Sequence, residues 1–298
     1  MKKTSKTAAL ALAMLLGLSA LAGCGGGASS SSAAPTESGS QSESTPPSSS
    51  EAAETPTIDK IKEKGTLVFG TESTYPPFEF IVVEDGQSVG VGMDVDLGKK
   101  IAEKLGVELV TSEMAFDSLI PSLQSGTIDI AGSMTPSEER MEVIDFSDLY
   151  YDSTNCFIVL KENADLFQTK EDFKDKTIGA QLGTVQNTLL VEEFTDSKNL
   201  ILPKVSTLVQ ELKNGNIDAI CVEAPVADCY VAALSEELAI APYEVPDEGG
   251  GVAITMAKGT EDLMAVVNEV IQEMIASGEM QEIYDANIEL AKEQIVND

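Results

Sequence analysis

The stretch AGSMTPSEERMEVIDFS, residues 131–147, decides the fold that this sequence predicts. It has the pattern of a strand end, a tight turn and the start of a helix. Thr135 is a suitable N-cap, Pro136 suits the first helical position, and Glu138 completes a capping box. The unpaired N–H groups of such a helix start, together with the guanidinium of Arg140, suit a small carboxylate. The alternative is a capped helix that carries a surface arginine.

The charge balance of the 298-residue chain is strongly acidic, with 19 Lys+Arg against 50 Asp+Glu and a formal net charge of −31. A surface of this sign repels nucleic acid and anionic lipid, so neither is expected as a direct partner. The sequence has no His, which excludes His-dependent catalysis and the usual His-containing metal sites. We expect no cofactor and no metal, and the hydrophobic content of 43% is ample for a buried core.

The start of the chain, residues 1–23, has the pattern of a bacterial lipoprotein signal. Three lysines precede an apolar run at residues 8–22, which is too short for a stable membrane span. The run leads into Leu-Ala-Gly-Cys, which resembles the lipobox and places Cys24 at the lipidated position. We therefore expect an extracytoplasmic protein that is lipid-anchored to the outer face of the bacterial cell membrane and contacts the membrane only through this anchor.

A flexible linker is expected after the signal. Residues 24–56 begin with the lipidated Cys and continue almost entirely with Gly, Ser, Ala, Thr, Pro, Glu and Gln. Such a composition cannot bury a core, and a chain of this length has an r.m.s. reach of roughly 30 Å. The folded domain is expected to cover residues 57–298.

Predicted strands and helices alternate in the folded part, which favours an α/β class with a mainly parallel sheet. Strands are expected at 67–70, 107–110, 127–131, 177–180 and 220–223, and helices at 58–64, 94–105, 117–124, 261–277 and 279–296. An aromatic-rich loop, residues 71–78, follows the first strand. Open α/β sheets bind ligands at this end of their strands.

One internal repeat relates residues 119–129 to residues 208–218 at a constant offset of 89. Leu, Leu, Gly, Ile and Asp recur, each time in a helix–Gly–strand unit. The repeat suggests two similar α/β lobes, and chance similarity between two such units is the alternative. Crossings near residues 150–157 and 245–254 would join the lobes by a two-strand hinge.

The second lobe has its own strand-to-helix corner. Gly183 permits a close approach of the backbone there, and Thr184 and Val185 offer free N–H groups. Glu223 ends a strand of the same lobe, where its carboxylate can pair with a ligand ammonium. The alternative for Glu223 is a solvated charge at a strand end.

These motifs, in this order, resemble the polar amino-acid family of solute-binding proteins that serve ABC importers. The resemblance covers about residues 57–298. It rests on the segments 70–78, 90–96, 119–129, 134–140, 145–147 and 182–184. It implies a two-lobed, periplasmic-binding-protein-like fold of type II with a two-strand hinge and a central cleft. The lobes would cover about residues 57–152 with 247–298, and about residues 153–246.

The resemblance also implies roles for the matching positions. Arg140 would bind the α-carboxylate of a free amino acid, assisted by main-chain N–H groups at Thr135 and Thr184. Glu223 stands where the family usually has Asp, and would hold the α-ammonium together with Ser133 and Thr135. Glu72 would face the ligand side chain. The other candidate ligand-binding residues are Tyr75 and Phe116, which would stack on the ligand, Gln181 and Gln186, which would line its side-chain pocket, and Met134, Gly183 and Val185.

The expected function is to bind a polar amino acid, with a slight preference for a cationic or neutral polar one, and to deliver it to an ABC permease. One alternative is an enzyme that resembles cyclohexadienyl dehydratase, with Glu223 or Glu72 as general acid. Another is a sensory lipoprotein. No nucleophile–base pair is evident, so we do not expect an enzyme. Cys156, Cys221 and Cys229 are expected to be reduced and buried.

Overall fold

The structure, a computed structural model, describes residues 55–84 and 86–297. The predicted signal segment, Cys24 and nearly all of the predicted linker lie outside the described residues. Within the described part, no helix combines the length and the apolar character that crossing a membrane requires.

Helices and strands alternate along most of the described chain. The helices are α1 (Pro56–Lys64), α2 (Met93–Leu105), α3 (Leu119–Ser125), α4 (Glu138–Met141), α5 (Val185–Glu193), α6 (Val205–Lys213), α7 (Ala224–Ala233), α8 (Glu261–Ser277) and α9 (Glu279–Asn297). The strands are β1 (Thr66–Thr71), β2 (Thr74–Tyr75), β3 (Glu79–Glu84), β4 (Gln87–Val91), β5 (Glu108–Glu113), β6 (Ile130–Met134), β7 (Ile144–Leu160), β8 (Thr177–Gln181), β9 (Lys198–Leu202), β10 (Ala219–Glu223), β11 (Leu238–Ile240) and β12 (Val245–Ala257).

Nine of the described strands form one sheet in the order β5-β1-β6-β12-β7-β10-β8-β9, with β11 paired to β7. In the first lobe, β1 pairs in parallel with β5 and β6. In the second lobe, β8 pairs in parallel with β9 and β10. The long strands β7 and β12 pair antiparallel between these two groups and connect them. The predicted α/β class with two lobes is therefore confirmed.

Both lobes contain the helix–Gly–strand unit of the internal repeat, α3 with β6 and α6 with β10. The aspartate that closes each unit makes the same pair of hydrogen bonds. Asp129 donates its N–H to the carbonyl of Val68 and accepts from Val68 N–H at Oδ2. Asp218 makes both contacts with Thr177. The two copies of the repeat thus have the same local structure.

The first lobe also carries a three-stranded antiparallel sheet, β2-β3-β4, which the sequence analysis missed. The signal was available, because the dipeptide Asp85-Gly86 separates two runs rich in β-branched residues and is typical of a hairpin turn. In the structure Glu84 pairs with Gln87.

The strand after α3 was predicted to begin at residue 127, but β6 begins at Ile130. Gly126 has the left-handed φ of 70° that commonly ends a helix, and Thr127 N–H donates back to the carbonyl of Ser122. These residues therefore form the turn that follows α3 rather than part of the strand.

The pairing of the two connecting strands is interrupted by a β-bulge. Between Pro246 and Gly251 of β12 the register shifts, so that four residues, 247–250, lie opposite Ser153 of β7. Gly251 has φ 150°, and a Cβ atom there would lie 2.1 Å from the carbonyl oxygen of Tyr151. Bulges of this kind redirect side chains, often beside functional sites.

Candidate functional site

Ten side chains from the two lobes surround one small cavity. They are Tyr75, Phe116, Ser133, Thr135 and Arg140 of the first lobe and Gln181, Thr184, Val185, Gln186 and Glu223 of the second. All ten are among the predicted ligand-binding residues, and that role stays a prediction. The cavity volume is about 10 Å³, room for about one water molecule. This is smaller than a free amino acid, so the predicted ligand could enter only if the lobes separated.

Arg140 is the only arginine in the sequence, and it lies where the lobes meet. Its side chain is 8% exposed. Nη1 donates to the carbonyl of Thr135 at 2.7 Å, and Nη2 donates across the cleft to the carbonyl of Gly183 at 2.9 Å. The guanidinium carbon lies 5.6 Å from the centre of the Phe116 ring. Burial lowers the pKa of Arg140, and the charge of Glu223 opposes this shift.

The helix that carries Arg140 begins later than predicted. Its N-cap is Ser137, whose hydroxyl accepts from Arg140 N–H at 3.3 Å, and α4 has only four residues. The predicted N-cap at Thr135 and its capping box with Glu138 were therefore wrong. The hydroxyl of Thr135 instead donates across the cleft to Oε1 of Glu223 at 3.0 Å. A single helical turn also makes the expected helix N-terminus of the first lobe much weaker.

The corner of the second lobe has the predicted local structure. Thr184 is the N-cap of α5, and its hydroxyl accepts from Asn187 N–H at 3.1 Å. The first N–H groups of the helix, including that of Val185, have no partner within it. Gly183 has φ 80°, and a Cβ atom there would lie 3.0 Å from Cβ of Asp117 in the other lobe. Glycine thus allows this helix start to approach Asp117, and the carbonyl of Gly183 accepts from Arg140.

Glu223 contributes a deeply buried carboxyl group to the cavity. It is 2% exposed, and Oε2 has no hydrogen-bond partner among the described residues. Burial raises its pKa to about 7, helped by the negative charge of Asp247. Asp247 was not predicted as a site residue, although its Oδ2 lies 3.4 Å from the Thr135 hydroxyl. The position of Asp247 depends on the bulge in β12. In the sequence, the only indication was that Asp247 stands two residues before the Gly-Gly-Gly run.

Glu72 lies beside the cavity rather than on its surface. It is 2% exposed, and its two oxygens accept from Thr74 Oγ1 at 2.7 Å and, across the cleft, from Gln181 Nε2 at 3.0 Å. Burial raises the pKa of Glu72, and these two hydrogen bonds oppose the shift. A buried carboxyl group therefore stands next to the predicted side-chain pocket.

Ser133 and Met134 make their side-chain contacts within the first lobe. Ser133 has a left-handed φ of 48°, and its hydroxyl donates to the buried carboxylate of Asp94 at 2.6 Å. That hydroxyl is thus engaged within the first lobe. The side chain of Met134 is fully buried in a hydrophobic cluster with Phe116 and does not line the cavity.

Residues 67–289 match the sequence family of bacterial extracellular solute-binding proteins, family 3. The chain belongs to this family. The arginine-binding extracellular protein ArtP of Bacillus subtilis is 36% identical over 230 residues, which cover 74% of this chain and 85% of the relative. The L-cystine-binding protein TcyJ of Escherichia coli K12 is 35% identical over 225 residues, 75% of this chain and 83% of the relative.

Solved structures of family 3 proteins share the two-lobed fold. The amino acid ABC transporter substrate-binding protein AbpA from Streptococcus pneumoniae, bound to L-arginine, superimposes with a TM-score of 0.74. It is 35% identical, and the match covers 78% of this chain and 98% of that one. The resemblance to solute-binding proteins of type II fold is therefore confirmed. Family membership also indicates that the folded domain works outside the cytoplasm.

Proposed function

We propose that this protein binds a free amino acid between its lobes and delivers it to the permease of an ABC importer. The observation that supports this most is the pairing of opposite charges at one cavity. The guanidinium of Arg140 comes from the first lobe, and the buried carboxyl of Glu223 comes from the second. A zwitterion that leaves water needs a partner for each charge, because an unpaired buried charge costs several kcal/mol.

In this proposal Arg140 and the first N–H groups of α5 bind the α-carboxylate, while Glu223 and Thr135 bind the α-ammonium. The ligand carboxylate replaces the carbonyl groups that Arg140 contacts in the closed cleft. Because the two partners of the ligand belong to different lobes, the site is complete only when the lobes close. The amino acid therefore favours the closed arrangement.

Calorimetric titration with the twenty standard amino acids and L-cystine tests this function. The wild-type protein should bind at least one of them saturably, with one ligand per chain. The same titration with Arg140→Ala should show a loss of more than about 100-fold in affinity. The absence of saturable binding by the folded wild-type protein to every compound would contradict the proposal.

We further propose that the side chain of the ligand is cationic, with L-arginine as the first compound to test. The buried carboxyl of Glu72 can exchange the amide of Gln181 for a guanidinium, and such charged hydrogen bonds are the stronger ones. Two of the relatives described above have arginine in their names or titles, which supports this choice.

L-Citrulline has nearly the shape of L-arginine but carries no charge on its side chain, so it isolates this interaction. We expect wild-type protein to prefer L-arginine by about 10- to 100-fold. Glu72→Gln should remove most of this preference and leave the affinity for L-citrulline within about threefold. Equal affinities of the wild-type protein for both compounds would contradict a charged side-chain pocket.

A lipid anchor at Cys24 is a separate proposal, supported by the sequence pattern of residues 1–24. Expressed in a bacterium, the wild-type protein should remain with the membrane fraction and incorporate labelled palmitate. Cys24→Ala should release the protein and abolish labelling, whereas Cys229→Ala should behave as wild type. Labelling that persists in Cys24→Ala would contradict the anchor.

The names of the relatives favour binding over catalysis, and we propose no enzymatic activity. Incubation with prephenate or arogenate should return both compounds unchanged, and turnover would favour the dehydratase alternative. Recovery of a permease with the detergent-extracted protein would distinguish an importer from a sensory lipoprotein.

A further inference from the structure

The bulge in β12 is seated against the first lobe at the edge of the cavity. A Cβ atom on Gly249 would lie 2.4 Å from Cγ2 of Thr135 and 2.6 Å from the carbonyl oxygen of Pro136. The N–H of Gly249 donates to Oδ1 of Asp247 at 3.0 Å. Gly249 thus packs closely on the first lobe, and its hydrogen bond orients the carboxyl group of Asp247, whose Oδ2 points to the hydroxyl of Thr135.

Two carboxyl groups compete for that hydroxyl. The Oγ1 atom of Thr135 lies 3.0 Å from Oε1 of Glu223 and 3.4 Å from Oδ2 of Asp247. A hydroxyl has one hydrogen and can donate to only one of them at a time. Oε2 of Glu223 has no partner at all within the described chain. Gln186 and Tyr75 also lie close to this carboxyl group, but neither donates to Oε2, so this oxygen can accept from a further donor.

We propose that Asp247 is a further ligand-binding residue, which forms the ammonium subsite together with Glu223 and Thr135. An α-ammonium brings three N–H donors and can therefore supply one to the unpaired Oε2 of Glu223. When the hydroxyl donates to Asp247, its lone pair and both oxygens of Glu223 can accept from the ammonium. The proposal rests on the proposed function and adds a residue and a role to it.

The charges around this corner agree with the proposal. Arg140 from α4 is the cation nearby, and it faces the α-carboxylate in the proposed complex. Tyr75 and Cys221 are the neutral titratable groups on the adjacent strands, and Glu248 adds another negative charge next to Asp247. Burial raises the pKa of Asp247, and hydrogen bonds with Gly249 and Thr135 together with the charge of Arg140 oppose this shift. Once Arg140 faces the ligand carboxylate, the ligand ammonium would be the cationic partner of Asp247.

Asp247→Asn is the variant that isolates the charge. The asparagine keeps an Oδ1 acceptor for Gly249 N–H, so the bulge retains its internal hydrogen bond. Glu248→Gln is the matched control, since it removes the same charge from the next, exposed position of the bulge. In calorimetric titration with L-arginine, Asp247→Asn should bind about tenfold more weakly than wild type, and Glu248→Gln within about twofold.

The α-desamino analogue of L-arginine, 5-guanidinopentanoic acid, tests whether Asp247 acts on the ammonium itself. Measured by displacement of L-arginine, its affinity should change by less than about twofold in Asp247→Asn. If the panel titration shows that the protein binds another amino acid instead, the same comparison uses that compound and its α-desamino form.

Two results would overturn the role of Asp247 while leaving the proposed function intact. The first is wild-type affinity for L-arginine in Asp247→Asn. The second is an equal loss of affinity for L-arginine and its desamino analogue, which would mean that the substitution acts through the shape of the bulge. A wild-type protein that binds no amino acid would instead refute the proposed function.

Discussion

Several buried charged residues lie at or beside the cavity. Arg140, Glu223 and Glu72 are each less than one-tenth exposed, and Asp247 is half-buried beside them. Burial raises the pKa of all three carboxyl groups, so each lowers stability whenever it is ionised without a partner. Such unfavourable groups are typical of functional sites, where a ligand compensates them.

Substitution of Arg140 tests its proposed contact with the ligand carboxylate directly. Arg140→Ala leaves the ligand carboxylate unpaired in the closed cleft, which should cost about 3–5 kcal/mol of binding free energy. Arg140→Lys keeps the charge but loses the two-pronged geometry, so its affinity should lie between those of wild type and alanine.

Lys99→Ala, which removes an exposed ion pair with Asp96, is the control for both Arg140 variants. Calorimetry should give wild-type affinity for it. A change below threefold in Arg140→Ala would mean that the carboxylate is bound elsewhere.

The raised pKa of Glu223 predicts how stability depends on pH. The carboxyl titrates near pH 4.5 when unfolded and at about 7 when folded, so the folded state retains the proton over this interval. This contribution is therefore favourable below pH 4.5 and is lost as the pH rises to about 7, by about 3 kcal/mol at most. Urea denaturation of ligand-free protein at pH 4.5 and pH 8 measures it.

Glu223→Gln cannot titrate, so it should lose less stability than wild type between these two pH values. Glu248→Gln, at an exposed position, should keep the wild-type dependence. Identical pH dependence in wild type and Glu223→Gln would show that the carboxyl is not buried in this way in solution.

At the scale of elements, the two copies of the repeat share a packing constraint. A Cβ atom on Gly70 of β1 would lie 2.3 Å from Cδ1 of Ile128, and one on Gly179 of β8 would lie 2.9 Å from Cδ1 of Ile217. In each lobe, the helix–Gly–strand unit thus packs directly on a glycine of the neighbouring strand.

Alanine at either glycine should therefore destabilise the protein. Gly70→Ala and Gly179→Ala force the neighbouring isoleucine and leucine side chains to move, at an expected cost of about 1–3 kcal/mol. Gly90→Ala is the control, because its Cβ would meet nothing within 4 Å. Urea midpoints measure the three effects, and a wild-type midpoint in Gly179→Ala would show that the second copy is loosely packed.

For the whole molecule, the closed cleft is stabilised by hydrogen bonds between protein groups of opposite lobes. Arg140 donates to the carbonyl of Gly183, Thr135 donates to Glu223, and Gln181 donates to Glu72. These are the contacts that the proposed ligand exchanges for its own carboxylate, ammonium and side chain. The affinity for the ligand therefore reflects the difference between the hydrogen bonds that the ligand makes in the closed cleft and the inter-lobe hydrogen bonds that it replaces.

Ligand binding should accordingly stabilise the protein as a whole. L-Arginine at 100 times its dissociation constant should increase the free energy of unfolding by about 2.7 kcal/mol. Thermal denaturation should show a rise in the midpoint for wild type and a much smaller one for Arg140→Ala at the same concentration. A rise of equal size in both proteins would place L-arginine outside the cleft.

Local patterns in the sequence determined the alternation of helices and strands, the duplicated unit and the cap at Thr184, because hydrogen bonds within a few residues set these features. They also singled out Arg140. Only the tertiary structure decided that the hydroxyl of Thr135 bonds to Glu223 rather than capping a helix, and that Asp247 joins them. Those contacts join residues 88 and 112 positions apart. They depend on the register of β7 with β12 and on the closing of two lobes, which no local pattern encodes.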